Sequence, residues 1–143
     1  MANGRWAGEP RRVQLMLTAA VLVFAYGTVV HLVQLCTGGL RPYPALPAWL
    51  ALYFTSLTVL DPLAAVLLWT RRAAGLWLGC AVLVTDSAAN AYANYVLDAT
   101  PGVTPGRIGQ AVITLLAAAL VGAAARLAPW MRPAHPARSP ARP

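Results

Sequence analysis

The sequence predicts an all-α integral membrane protein: a four-helix bundle with up-down-up-down topology and a kinked second helix. Of its 143 residues, 59% are hydrophobic and 10% are charged, whereas a soluble domain carries about 25% charged residues. Apolar segments long enough to cross a hydrocarbon core of about 30 Å alternate with short connections. Because backbone amides in lipid must be hydrogen-bonded within their own segment, these segments predict helices. Soluble, disordered and disulfide-rich secreted classes are excluded.

Four spans follow one another along the chain. The first is uncharged and longer than the roughly 7–15 apolar residues of a signal-peptide core. Trp49 and Trp69 bracket the second, as is typical of membrane interfaces. The third contains Asp86, and Arg107 begins the fourth. The predicted transmembrane domain covers residues 13–128, with spans at 13–36, 47–70, 73–97 and 107–128.

Asp61 directly precedes Pro62 in the second span. Proline inside a helix removes the hydrogen bond to the residue four positions earlier, here Thr58, and crowds that turn. Asp followed by Pro is also typical of a helix start, with Asp as the N-cap. We therefore expect a kink or break at Pro62, and capping of a short second half-helix is one explanation for Asp61.

Nine of the eleven arginines lie at the two ends of the chain and between the second and third spans. Because cytoplasmic segments retain positive charge, we expect a multi-pass protein of the cell membrane with both termini in the cytoplasm. These termini are the segment 1–12 and a disordered, proline-rich basic tail at 129–143. The net charge of +7 is spread over one membrane face, which favours membrane lipids and not nucleic acid as its partner.

Motifs for common chemistry are missing from the sequence. It has no nucleotide-binding loop, dinucleotide fingerprint, nucleophile elbow or zinc-ligand spacing. Its two histidines are too few for a metal or haem site with several imidazoles, so neither a metal nor a cofactor is expected. No catalytic residue can be named. Cys36 and Cys80 are predicted to differ in depth by about 25 Å, beyond the reach of a disulfide.

Polar side chains inside the spans are the informative feature, because each costs at least about 2–3 kcal/mol to insert. Asp86, Asn90 and Asn94 recur every four residues and form one stripe on the third helix. At about 1.5 Å per residue from the inner boundary, Asp86 lies about 20 Å deep and Asp61 about 14 Å deep. The two acids can therefore share a site.

We predict a pocket within the membrane, floored by the two aspartates and open outward or sideways. Its expected ligand-binding residues are Asp86, Asp61, Asn90, Asn94, His31 and Tyr95. An alternative for Asn90, Asn94 and Gln110 is hydrogen bonding between helices, worth about 0.6 kcal/mol per bond. Gly75 and Gly79 form a small-residue face that would pack within the bundle or across a homodimer.

Three motifs between residues 24 and 98 carry a family resemblance: Gly27-Thr28-Val29-Val30-His31, Asp61-Pro62-Leu63 and Asn90-Ala91-Tyr92-Ala93-Asn94-Tyr95. They resemble the EXPERA group of four-helix membrane proteins, which includes emopamil-binding sterol isomerases and sigma-2-receptor-like proteins. The resemblance implies an intramembrane cavity for a sterol-like or cationic amphiphilic ligand. In the isomerases, proton donors and acceptors in that cavity move a double bond. Here Tyr53 stands in the region where an isomerase would carry an acid, and the first connection is shorter, so isomerisation does not follow from the likeness.

The function expected first is the binding or processing of a lipophilic or sterol-like small molecule, with Asp86 and Asp61 at its polar end. Two alternatives remain open. The chain could be an accessory subunit whose polar stripe contacts a larger membrane complex. It could also be a small proton-coupled transporter, although small multidrug transporters of similar size carry a glutamate in the first helix, which is absent here.

Overall fold

The computed structural model describes residues 10–39 and 42–132, which fold into four long helices joined by short turns. A π-helical turn, Ala93–Leu97, continues the third helix, and a 3-10 turn, Ala128–Trp130, continues the fourth. The all-helical class is confirmed for the described residues. Residues 1–9 of the predicted N-terminal segment and residues 133–143 of the predicted tail lie outside them. The helices are α1 Arg11–Gly38, α2 Ala48–Trp69, α3 Ala73–Tyr92 and α4 Pro105–Leu127.

Local sequence signals account for the helix ends. α1 stops at Gly39, whose φ of 59° lies in the left-handed region that favours glycine. α4 begins at Pro105, whose missing amide hydrogen is not needed in the first turn. The side chain of Thr104 caps this helix by accepting a hydrogen bond from the backbone N–H of Arg107 at 3.2 Å.

α2 continues unbroken through Asp61 and Pro62. No new helix begins at Asp61, so the predicted break does not occur and Asp61 caps no second half-helix. Its side chain is buried inside the molecule instead, with 5% of the residue exposed. Helix capping, the simplest structural explanation for an aspartate at position 61, therefore does not apply.

Each helix packs against the next one along the chain, whereas α1 and α4 meet only slightly. α2 and α3 approach so closely that a Cβ atom on Gly75 would lie 2.6 Å from the backbone of Leu67 and Leu68. A Cβ atom on Gly79 would lie 3.0 Å from the ring of Phe24. The small-residue face therefore packs within the chain. The most deeply buried side chains are Leu17, Phe24, Leu50, Leu57, Leu68, Leu76 and Leu127.

The end of α4 is tied to the turn between α2 and α3. The backbone N–H of Arg132 donates to the carbonyl oxygen of Arg71 at 2.7 Å, and the N–H of Ala73 donates to the carbonyl oxygen of Arg132 at 3.1 Å. Met131 is buried beside this contact, and Arg71 adopts a positive φ of 57°. These bonds, which we call the terminal clamp, fix one end of the bundle.

The exterior is apolar. Large hydrophobic side chains such as Leu52, Val59, Trp77 and Leu115 are exposed along the helices. Three helices are long and apolar enough to cross a membrane: α1, α2 and α4 together with its 3-10 turn. α3 is not among them, because Asp86 and its polar neighbours lower its mean hydropathy. The described residues are thus compatible with a multi-pass membrane protein.

Both cysteines are free, as the depth difference between them predicted. Cys36 is exposed near the end of α1, and Cys80 is half-buried in α3.

Candidate functional site

A cavity of about 600 Å³ lies among the four helices. Side chains from α1, α2, α3 and α4 line it, and so do Tyr43 and Leu46 from the connection between α1 and α2. We call it the polar cavity, because five of the six residues predicted to bind a ligand lie on its wall. These five residues are His31, Asp61, Asp86, Asn90 and Asn94. Much of the remaining wall is apolar and includes Val30, Phe54, Val82, Leu83 and Ile113.

The polar stripe of α3 supplies one side of the polar cavity. Asp86 is 9% exposed, and its Oδ1 accepts a hydrogen bond from Asn90 Nδ2 at 2.9 Å. Asn90 Nδ2 also donates to the backbone carbonyl of Asp86 at 3.1 Å, and Asn94 Nδ2 donates to the carbonyl of Asn90 at 2.8 Å. These bonds run along α3 and join it to no other helix. They therefore position the stripe rather than hold the bundle together.

The side chain of Asp61 on α2 points toward α1. Its Oδ2 lies 3.7 Å from His31 Nε2 and occupies the space that a Cβ atom on Gly27 would need. Gly27 thus makes room for the carboxylate. The contact with His31 is weak while the imidazole is neutral, and it becomes an ion pair when the imidazole takes up a proton.

Gln34 contacts the other ring nitrogen of His31, Nδ1. The Oε1 atom of Gln34 lies 3.2 Å from His31 Nδ1 and accepts a hydrogen bond from the Tyr43 hydroxyl at 2.7 Å. Because an amide oxygen can only accept, this arrangement puts a hydrogen on Nδ1 and turns Nε2 toward Asp61. The contacts of Tyr43, Gln34 and His31 therefore point an imidazole nitrogen at the buried carboxylate of Asp61.

Tyr43 comes from the connection between α1 and α2. Burial raises the pKa of Tyr43 above its ordinary value of 10.0, and the Asp86 carboxylate adds to this increase. The hydroxyl therefore stays protonated and can donate to Gln34. Its ring packs against Phe54 with 5.5 Å between the ring centroids. Neither Tyr43 nor Gly27 was predicted as a site residue, although Gly27 opens the first of the three resemblance motifs. The only signal for Tyr43 was an aromatic residue between two prolines in a short turn.

Tyr95 does not line the polar cavity. Its residue surface is 59% exposed, and its ring lies 5.3 Å from the Arg107 guanidinium in a cation–π contact. Arg107 in turn donates to the backbone carbonyls of Asn94, Asp98 and Gly102. These contacts order the connection between α3 and α4. In the same connection, hydrogen bonds from Thr100 lower the pKa of Asp98.

Side chains outside the stripe join neighbouring helices. Ser87 and Thr114 join α3 to α4 through hydroxyl oxygens 2.8 Å apart. Gln110 Nε2 donates to Thr114 Oγ1 at 3.0 Å within α4 and also reaches Ser87 Oγ of α3 at 3.5 Å. Tyr53 and Thr85 join α2 to α3 in the same way at 2.8 Å. The bonding between helices predicted as the alternative for Gln110 is therefore represented by its long contact with Ser87, whereas the side chains of Asn90 and Asn94 donate within their own helix.

The wall of the polar cavity combines two carboxylates, an imidazole and three amides, those of Gln34, Asn90 and Asn94, with apolar surface. Carboxylates in such surroundings can hold an ammonium group or another cation, because low dielectric strengthens the attraction between opposite charges. The imidazole faces the Asp61 carboxylate at 3.7 Å, which suits an ion pair but is longer than the hydrogen bond that direct proton transfer needs. Comparison of the chain with family models, with curated proteins and with solved structures gives no match.

Proposed function

We propose that the chain is a multi-pass protein of the cell membrane in which α3 is a fourth span beside the three apolar ones. The support is that α3 packs against both α2 and α4, so its polar stripe can face the interior rather than lipid. The up-down-up-down arrangement follows from the short connections. The position of nine of the eleven arginines favours cytoplasmic termini.

We also propose that α2 bends at Pro62. The proline has no N–H to donate to the Thr58 carbonyl, and neighbouring helices in a membrane tolerate such a gap. A bend would tilt the Asp61 side of α2 relative to the segment before it and would help to open the space beside His31.

The function that we propose is the binding of a lipophilic or sterol-like small molecule with a polar or cationic end. One observation carries this proposal: Asp61 and Asp86, both buried, lie on the wall of one cavity. Its volume of about 600 Å³ falls within the roughly 300–1,000 Å³ that is usual for small-molecule sites. Buried acids without a ligand would be an expensive feature of a protein inside a membrane.

Processing of the ligand is the second part of the proposal. The Nε2 atom of His31 lies 3.7 Å from Asp61, so proton transfer requires that the two groups approach to hydrogen-bond distance, or are bridged by one water, when a molecule is bound. Such a step, like the cavity itself, agrees with the resemblance to the EXPERA group. Tyr53 takes no part in it, because its hydroxyl is engaged with Thr85 and does not line the polar cavity.

The test is Asp86→Asn in lipid nanodiscs, assayed by thermal shift against a panel of sterols and cationic amphiphiles. We expect the ligand-induced shift of the wild type to disappear, because the neutral amide no longer attracts the polar end. Apparent affinity should fall by about tenfold or more, as for the loss of one charge-assisted contact. The midpoint of the unliganded variant should stay close to that of the wild type, because Asn keeps the shape of Asp.

The matched control is Asp98→Asn, which makes the same change at an acid that does not line the polar cavity. This variant should bind like the wild type. Equal ligand shifts in wild type and Asp86→Asn would contradict the proposal. A stoichiometric partner that co-purifies with a ligand-free chain would favour the accessory-subunit alternative instead.

A further inference from the structure

A second, smaller cavity opens on the side of the bundle where α1 and α4 meet only slightly. It has a volume of about 170 Å³, and all of its lining side chains are apolar. We call it the apolar groove. Its walls include Met16 and Ala19 on α1 and Ala119 and Leu127 on α4. Alanines on both walls leave the space that larger side chains would fill.

The apolar groove adjoins the polar cavity. Val23 of α1, Leu83 of α3 and Leu116 of α4 line both of them. The two cavities are therefore neighbours, with these three side chains between them. A molecule seated at the two aspartates has to pass only these side chains to enter the groove.

The dimensions of the groove suit a linear chain. Its lining on α4 extends from Leu116 to Leu127, which is about 16 Å at 1.5 Å per residue. One leaflet of a hydrocarbon core is about 15 Å thick. The groove is less than a third as large as the polar cavity, so it is long but narrow.

We propose that the ligand of the polar cavity is a single-chain amphiphile, with its polar head at Asp61 and Asp86 and its alkyl chain in the apolar groove. This inference rests on the proposed function and narrows it from lipophilic molecules in general to those with one flexible chain. The adjacency of the two cavities and the purely apolar lining of the groove support it.

The test compares two primary amines, hexylamine and hexadecylamine, which share a head group and differ in chain length. Binding is measured in nanodiscs of neutral lipid, with each amine set at the same mole fraction of the bilayer. Ala119→Phe puts a phenyl ring into the groove from an exposed position, so the core is not displaced. We expect this variant to bind hexadecylamine about tenfold or more weakly than the wild type does, because the phenyl ring occupies the space of the alkyl chain. Hexylamine should bind to the variant as it does to the wild type.

Ala118→Phe is the matched control, since it makes the same change at the neighbouring exposed residue, which lines neither cavity. It should leave the binding of both amines unchanged. Ala19→Phe repeats the test from the opposite wall and replaces Ala119→Phe if that variant does not fold.

Three results would overturn the inference. If Ala119→Phe binds hexadecylamine as well as Ala118→Phe does, the chain does not lie in the groove, while the proposed function stands. If Ala119→Phe loses both amines equally, the substitution has disturbed the polar cavity and the groove has no separate role. If the wild type binds neither amine but shows an Asp86-dependent shift with a sterol, the inference fails while the proposed function stands; if it responds to no member of the panel, both fail.

Discussion

At the scale of single residues, the position of Asp61 is set by what surrounds it on another helix. Gly27 of α1 provides the space for its carboxylate, and His31 one turn further along α1 provides the nearest basic nitrogen at 3.7 Å. Glycine in a helix interior lowers stability by up to about 1 kcal/mol relative to alanine. A glycine at position 27 is therefore explained by Asp61, whose carboxylate packs against it.

This explanation predicts the effect of Gly27→Ala. The added methyl group would collide with the Asp61 carboxylate, so the variant should lose about 1 kcal/mol or more of unfolding free energy despite its better helix propensity. Gly109→Ala is the control, because Gly109 also lines the polar cavity but has open space around its Cβ position. Thermal midpoints of both variants in the same nanodiscs provide the measurement. Similar midpoints would show that Gly27 has no special role.

Part of the site could be read from residue spacing. Asp86, Asn90 and Asn94 recur every four residues, and a regular helix brings such residues to one face. Tyr95 borders this stripe in the sequence, but adjacent residues on a helix point about 100° apart. It contacts Arg107 outside the cavity. Tyr43 could not be predicted, because its contact with Gln34 depends on how a short loop folds over the helices.

At the scale of helices, the apolar segments predicted where α1 to α4 lie. The helix ends differ by a few residues from the predicted ends. Capping residues decide where the first or last turn lies, as Thr104 does at the start of α4 and Gly39 does at the end of α1. The π-helical turn Ala93–Leu97 at the end of α3 had no signal in the hydrophobic pattern. Pro62 predicted a break that α2 does not have, because packing against neighbours can hold a helix together where local preference would end it.

The close approach of α2 and α3 gives a prediction at this scale. Gly75→Ala would bring a methyl group against the backbone of Leu67 and Leu68, which cannot move without moving α2. We expect a loss of about 1–3 kcal/mol of unfolding free energy. The control is Gly122→Ala on α4, where nothing lies near the new methyl group and stability should rise by up to about 1 kcal/mol. Denaturation in mixed micelles would compare the two, and equal stabilities would refute the close contact.

At the scale of the whole molecule, charge and exposure together predict an orientation. The exposed apolar side chains of the helices suit lipid, and the arginines concentrate at the termini and in the α2–α3 turn. Cys36 lies at the opposite end of α1 from Arg11 and is exposed. Cytoplasmic termini would therefore place Cys36 on the outer side of the membrane.

A membrane-impermeant maleimide checks this orientation. On intact cells it should label the wild-type chain at Cys36 and leave Cys36→Ser unlabelled, because Cys80 is half-buried within α3. Arg132→Cys in the Cys36→Ser background should react only after the membrane is opened. The reverse pattern would mean that the chain inserts with its termini outside.

The terminal clamp has a consequence for the timing of assembly during synthesis. Ala73 receives the partner for its N–H only when Arg132, 59 residues later, has been made. At about 5–20 residues per second, this interval lasts about 3–12 s. α3 is complete at Tyr92, but the bond from the Ala73 N–H to the Arg132 carbonyl can form only after α4 has been made. The end of the bundle that the terminal clamp fixes is therefore assembled after the four helices have been synthesised.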